Sequence, residues 1–473
     1  MWDHIIKNGI LVTGEGSEKA DIYVKDQKIA RVVKKGDSEG ASLAEALDAE
    51  TLEITDAQGK YVLPGLIDTH VHSRDGRIGA HHKEDFSFST KAAAAGGITT
   101  IFEMPNCNPT IYSEENLRSL VEIVEPKAHV DFGVWGLCLG DLNKEEIPKL
   151  DKAGVIGYKF FWGYAIDSKA YQLIYNYEPG MEGVIPPLDN GEVMKIFRDV
   201  AKTGKKVAIH AEDFFIIKAL TEEVRKRGED SYAVLLESRP VYAETIVIDT
   251  AIKIAEATGV HLHILHVGCG DGVDIIRDAK KRGVDVTCET CPHYLYLTDE
   301  DAKDAGTKMK TYPLIRTRED RERVWEGLKD GTISTVASDH APHTEEEKAN
   351  GFWGAPAGIS GTETMSQILL DGVSKGKITI NDVARVLSEN PAKLYGLYPM
   401  KGSFDIGSDA DFAIVDMDME YVFNQEDMHS KIKMSPYDGR KFKGKVIDTI
   451  LRGKTIARDG IIEGKPEGKY IKA

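Results

Sequence analysis

Eight short runs dense in β-branched and aromatic residues, separated mostly by helix-like stretches, constrain this chain more than any other feature. The first covers 61–67 and ends at the polar Asp68. The others are Ile98–Met104, Val130–Leu137, Val155–Phe161, Lys206–His210, Leu262–Val267, Val284–Glu289 and Ile333–Asp339. Continuous apolar runs of this length suit parallel strands buried on both faces. About eight of them alternating with helices over roughly 250 residues predict a (β/α)8 TIM-like barrel, an α/β fold, over residues 61–401. Toward the chain ends the pattern changes to short alternating segments. Ile5 to Val12, Asp21 to Val24 and Ile29 to Val33 read as strands, the last two joined by Lys25-Asp26-Gln27-Lys28; Asp409 to Asp416 and Val446 to Asp459 carry the same signature, with Gly407 and Gly453 as turn breaks. Residues 1–60 and 402–473 are therefore expected to pair into one small β-sandwich, with the charged stretch Lys34 to Glu50 as a solvated excursion.

Chemistry-bearing side chains recur where these runs end. His70 and His72 follow the first run two positions apart, which on an extended strand is one face. Such a pair is compatible with a merely polar strand mouth. It gains weight because Lys159, His210, His266 and Asp339 stand near the ends of later runs, and a barrel of this kind carries its active site at the C-terminal ends of its strands. Lys159 lies inside Val155-Ile156-Gly157-Tyr158-Lys159-Phe160-Phe161-Trp162, where an unpaired ammonium is costly. Either it snorkels or pairs with a carboxylate, or desolvation keeps the amine neutral, so that carbon dioxide condenses on it and leaves an anionic carbamate able to bridge two cations.

The run Pro64 to His72, the segment Ala92 to Thr100, Lys159, His210-Ala211-Glu212, His266, Cys288-Glu289-Thr290-Cys291-Pro292-His293-Tyr294 and Ser338-Asp339-His340 together resemble the cyclic-amide hydrolases of the amidohydrolase superfamily, the group of dihydroorotases, allantoinases and hydantoinases (dihydropyrimidinases). The resemblance spans nearly the whole chain. It implies a barrel with a β-sandwich and a binuclear metal centre: His70 and His72 on the buried ion, His210 and His266 on the other, carboxylated Lys159 between them and Asp339 beside the bridging hydroxide. It also implies that Asp339 acts as general base and then general acid, beyond any role as a ligand. The ligand types suit zinc, although the same donors accept manganese or cobalt. A homo-oligomer, dimer or tetramer, is a further implication.

For the substrate the signals are mixed. Arg74, Asn106 and His343, with the segments Ala355 to Gly358 and Gly361 to Thr364, resemble dihydroorotases, in which the first two hold the substrate carboxylate. An arginine fork suits that task, and an alternative for Arg74 is a strand-end salt bridge. Glu237 to Tyr242 and Ser435 to Arg440 look more like allantoinases. Tyr164 is similar to the hydantoinase tyrosine that hydrogen-bonds substrate and oxyanion, whereas the hydantoinase Ser and Asn that grip the ring are replaced by Tyr312 and Ala357. The stretch Ala165 to Glu192 fits none of these patterns and reads as a substrate loop. Dihydroorotate is the first expectation, with allantoin, 5-substituted hydantoins and dihydropyrimidines as the alternative. A non-catalytic scaffold related to dihydropyrimidinases would have lost metal ligands, and all six are present here.

A hydrophobic fraction of 41% is ordinary for a chain with a large core, and the formal net charge of -17 disfavours nucleic acid as a partner. Five cysteines, few and odd in number, argue against a disulfide framework. The opening Met1 to Gly9 lacks the basic stretch and apolar core of a signal peptide, and no segment approaches about 20 apolar residues, so a cytoplasmic protein without membrane attachment is expected. Among the remaining histidines, the parity of His261 and His263 relative to His266 predicts that they face the helical layer; His340 is expected behind Asp339, and His81 and His82 in solvent.

Overall fold

The computed structural model describes residues 2–36 and 51–473, so most of the predicted charged excursion lies outside the described residues. Eight parallel strands form the barrel. Leu66–Val71 pairs with Ile98–Glu103 and that with Asp131–Val134, whose continuation Gly136–Leu137 pairs with Tyr158–Phe161. Lys206–His210, His261–Ile264, Val286–Thr290 and Thr335–Val336 follow in order. A bridge between Val71 and His340 closes the ring, and the His72 N–H donates to the His340 carbonyl at 2.8 Å.

The alternation of side chains explains both layers. Leu262 and Ile264 point outward and pack with Val247, Ile248, Ala251 and Ile252 of the helix Val241–Thr258. That helix follows Pro240 and stops at Gly259, whose φ of 72° ends it at no steric cost. Inside the barrel, Ile67, Phe102, Trp135, Ile156 and Ala208 form a core with Tyr395, closed by a Trp135 indole N–H donated to the Thr69 carbonyl at 3.0 Å. This packing fills the lower barrel and leaves the strand C-termini for polar side chains.

The sandwich sheet runs in the order Ile461–Ile462, Lys454–Arg458, Lys441–Leu451, Phe412–Val422, Tyr61–Pro64, Trp2–Val12, Ser17–Lys25, Lys28–Lys34, with Thr51–Asp56 added in parallel to Trp2–Val12. The apolar segment at 61–64 thus differs from its expected place at the start of the barrel: it joins both chain ends in the sandwich, and the first barrel strand begins at Leu66. Gly65 makes the changeover, because a Cβ there would lie 2.2 Å from Thr99 Oγ1 and 2.7 Å from Asp411 Cβ. Apolarity alone cannot separate the two segments, since both are buried. The tail departs from the sandwich too: Phe132 N–H donates to the Lys469 carbonyl at 3.0 Å and Ile471 N–H to the Phe132 carbonyl at 2.8 Å, laying the last residues against the barrel.

Between barrel strand and helix, Ala165–Asp167, Leu173–Ile174 and Val184–Ile185 build a small antiparallel sheet. Among the described residues no helix is long and apolar enough to cross a membrane, and all five cysteines are free and buried.

Candidate metal centre and substrate cavity

His70, His72, Lys159, His210, His266 and Asp339 line one cavity of about 680 Å³ together with Arg74, Asn106, Tyr164 and His343. Each enters from the C-terminal end of a strand or the loop after it. His70 and His72 share a face at the end of Leu66–Val71, and their rings lie 5.2 Å apart. His266 and Asp339 come just past their strands with φ of 39° and 47°. Non-glycine residues enter this region at a cost of about 1–2 kcal/mol; a barrel mouth that turns two side chains back toward its axis holds them in it.

Two sub-clusters result. Asp339 Oδ1 lies 3.2 Å from His70 Nε2 and 3.4 Å from His72 Nε2, so three ligand atoms converge. The opposite nitrogens are occupied: His70 Nδ1 donates to Glu289 Oε1 at 2.6 Å and His72 Nδ1 to Asn106 Oδ1 at 2.7 Å. His210 Nδ1 and His266 Nε2 face each other at 3.0 Å, and His210 Nε2 donates to Glu212 Oε2, also at 3.0 Å. The His70 and His266 rings, 5.6 Å apart, link the two groups.

Electrostatically the cluster is short of protons and of compensation. Burial lowers His72 to about 4 and His266 well below the ordinary histidine value. Burial also brings Lys159 down to about 7 against the opposing pull of Asp339 and Glu289. Among the described residues its amine has no carboxylate within ion-pair distance and sits 4.6 Å over the Phe161 ring. His266 Nδ1 is buried with no hydrogen-bond partner. Imidazoles whose inner nitrogens converge, the outer nitrogens of His70, His72 and His210 tied to carboxylate or amide oxygens, and a desolvated amine fit divalent cations, whose ligating histidines ordinarily have such outer partners.

The rest of the cavity is asymmetric. On one side Arg74 Nη2 is 3.2 Å from His343 Nε2, which is also 3.0 Å from the Ala357 carbonyl, and Lys83 Nζ is 3.2 Å from His343 Nδ1. Burial and the Arg74 and Lys83 cations hold His343 far below its ordinary value. Arg74 makes no ion pair among the described residues, and its Nε is buried without a partner, so the alternative of a strand-end salt bridge is not what the fold provides. On the other side Tyr164 sets its ring edge to face His210 at 5.0 Å, Tyr175 meets Tyr164 at 5.6 Å, and Leu173 to Glu178 line the wall. Tyr312 and Ala357 line it as well, and the Arg239 guanidinium carbon lies 3.5 Å from the Tyr312 ring centroid.

Three expectations need adjustment. Asn106 lines the cavity, but its carbonyl oxygen is committed to His72, so it orients a metal-ready imidazole besides any contact with substrate. His263 does not face the helices: it is fully buried, bonds Thr287 through Nδ1 at 2.8 Å and lies 3.5 Å from Glu289, the carboxylate that holds His70. The strand ends at Ile264, and His266, with positive φ, no longer follows its alternation, so the parity of His263 relative to His266 does not fix its face. His81, about half exposed, pairs with buried Asp75 at 2.9 Å rather than standing free. His340 is fully buried behind Asp339, 3.4 Å from Glu84. Sequence reading missed the roles of Glu289, Glu212 and Arg239; the signal for the first two was a carboxylate at the end of an otherwise apolar run.

Residues 61–456 match the model of the amidohydrolase family. The chain is 35% identical to an L-hydantoinase of Paenarthrobacter aurescens over 464 residues, covering 97% of this chain and 95% of that one. It is 37% identical to an allantoinase of Bacillus licheniformis over 479 aligned positions, covering 99% of each. The solved L-hydantoinase (dihydropyrimidinase) of Arthrobacter aurescens superposes with a TM-score of 0.90 at 34% identity, covering 100% of both chains. A barrel with its β-sandwich, a polar cluster at the strand ends and likeness along the full length lead to one conclusion: this chain belongs to the amidohydrolase family.

Proposed function

We propose that the chain is a metal-dependent hydrolase that opens five-membered cyclic ureides, with allantoin and 5-substituted hydantoins as the substrate class. The observation that carries the reading is the convergence of four imidazoles, a desolvated lysine and Asp339 on one cavity, in a chain matched end to end by an L-hydantoinase and by allantoinases. His70, His72 and Asp339 would hold one divalent cation and His210 and His266 a second, with carboxylated Lys159 between them; the donor set favours zinc. When bound, the two ions supply a Lewis acid for the ring carbonyl and make water a competent nucleophile near neutral pH.

The chain's own groups do the rest. Asp339 accepts the proton that the attacking water loses and returns it to the ring nitrogen as the C–N bond breaks, so the carboxylate is regenerated and one water is added across the amide. The Tyr164 hydroxyl donates toward the carbonyl oxygen as negative charge develops there.

A second reading, dihydroorotate, is favoured by one feature: Arg74 borders the cavity with no carboxylate partner, the arrangement that an anionic substituent would complete. The test is a panel of allantoin, 5-substituted hydantoins, dihydrouracil and dihydroorotate, with zinc and bicarbonate supplied. Allantoin or a hydantoin is expected to have the highest kcat/KM. If dihydroorotate leads, and Arg74→Ala raises its KM by about tenfold or more with kcat little changed, the second reading replaces the first.

A further inference from the structure

The four imidazoles do not present the same nitrogen. His70 and His72 spend Nδ1 on Glu289 and Asn106 and turn Nε2 to Asp339. His210 is reversed, with Nε2 on Glu212 and Nδ1 toward His266. Which imidazole nitrogen keeps its lone pair is set by the hydrogen bond the other makes. An ionised carboxylate only accepts, so Glu212 forces the proton onto Nε2 and leaves Nδ1 free to ligate.

Glu212 is itself held. It is 3% exposed, and the oxygen that accepts from His210 Nε2 also accepts from Arg239 Nη1 at 2.7 Å. Arg239 is fixed by the Tyr312 ring under its guanidinium and by its carbonyl, which accepts from Arg316 Nη1 at 3.1 Å. The other Glu212 oxygen, Oε1, is buried without any hydrogen-bond partner among the described residues. A half-satisfied buried carboxylate works against folding, so a core selected for stability alone has no use for this one. The other sub-cluster contrasts with it: both Glu289 oxygens are hydrogen-bonded, Oε1 with His70 and Oε2 with Thr69.

We propose that Glu212, clamped by Arg239, is a positioning residue that locks His210 with Nδ1 toward His266 and thereby sets the cation affinity of that position separately from the His70, His72 and Asp339 position. The inference rests on the binuclear reading above.

Titration of the metal-free full chain with cobalt(II), followed by visible absorption and by metal content after gel filtration, tests both. The parent is expected to take up two equivalents. Glu212→Gln, whose amide can donate as well as accept, should keep one step unchanged and weaken the other by about 10–100-fold, while thermal melting stays near the parent's. Glu289→Gln should instead weaken the step that Glu212→Gln leaves alone. Arg239→Lys, which keeps the charge but loses the planar clamp, should weaken the same step as Glu212→Gln by less, and it carries the test if Glu212→Gln does not fold. A parent that binds fewer than two equivalents overturns the binuclear reading and this inference with it. A parent that binds two, with a variant that binds both as tightly, overturns the positioning role alone.

Discussion

Two buried clusters in this chain each bring three potential metal ligands together and are treated in opposite ways. At the seam between barrel and sandwich, Asp131, Asp409 and Asp411 come as close together as metal ligands would. Lys401 sits among them, 2.6 Å from Asp131, 2.7 Å from Asp411 and 3.0 Å from Asp409, while Arg452 pairs with Asp131 and Lys28 with Asp409. Three carboxylates meet three protein cations, and the account closes. At the barrel mouth, among the described residues, His70, His72 and Asp339 have no protein cation among them, Lys159 finds no carboxylate within ion-pair distance, and His266 Nδ1 has no partner. A buried cluster that balances its own charge is architecture. One that leaves donors and charge open is prepared for something from outside the chain.

The largest effect that separates them is catalytic. Asp339→Asn should lower kcat/KM by about 10⁴-fold, the upper end for loss of proton transfer, while the melting temperature changes little; a matching loss of stability would make the mouth structural as well. Lys401→Met should do the reverse. It leaves buried carboxylates uncompensated and should cost about 3–5 kcal/mol in denaturant unfolding while metal content per folded chain is unchanged. A variant of parental stability would show that the seam does not hold the two layers together.

Removing metal comes next in size. Exhaustive chelation should abolish turnover and reduce stability by a few kcal/mol at most, as expected for loss of a ligand bound at about 100 times its Kd, and zinc with bicarbonate should restore both. Full turnover of metal-free protein would erase the distinction between the clusters. The smallest effect is a pH dependence. Burial alone would lower the Lys401 pKa, but Asp411, Asp131 and Asp409 outweigh it and raise it above the ordinary lysine value. Its stabilisation is therefore complete below the unfolded value of about 10.4 and is lost as pH rises through the folded one. The stability gap between parent and Lys401→Met should be flat near neutrality and narrow only above about pH 10.4. A gap that narrows between pH 7 and 9 would contradict the assignment.

Legibility in the sequence followed the range of the physics. Barrel strands announce themselves as continuous apolar runs because burial on both faces is a local demand on composition, and His70 and His72 share a face because the two-residue period of a strand is local as well. Where the backbone leaves its period, the reading failed. His263 was assigned to the wrong face, and Tyr61–Pro64 was placed in the barrel because a buried sandwich strand and a buried barrel strand have the same composition. Asn106 was read as a substrate contact, and only the fold brings its oxygen to His72.

The amino-acid sequence by itself determined the alternating architecture, the strand-rich chain ends and the six side chains at the ends of the strand runs, because residue type and spacing carry that information along the chain, whereas Arg74, Asn106, Tyr164 and His343 were legible only through the family resemblance. The tertiary structure alone decided which nitrogen each imidazole presents, that Glu289, Glu212 and Arg239 stand behind them, and that Lys401 fills the aspartate cluster at the seam. Several of those outcomes depend on partners 27 to 270 positions away, as Arg239 on Glu212 and Lys401 on Asp131 do, and proximity of that kind arises only when the chain closes into a barrel.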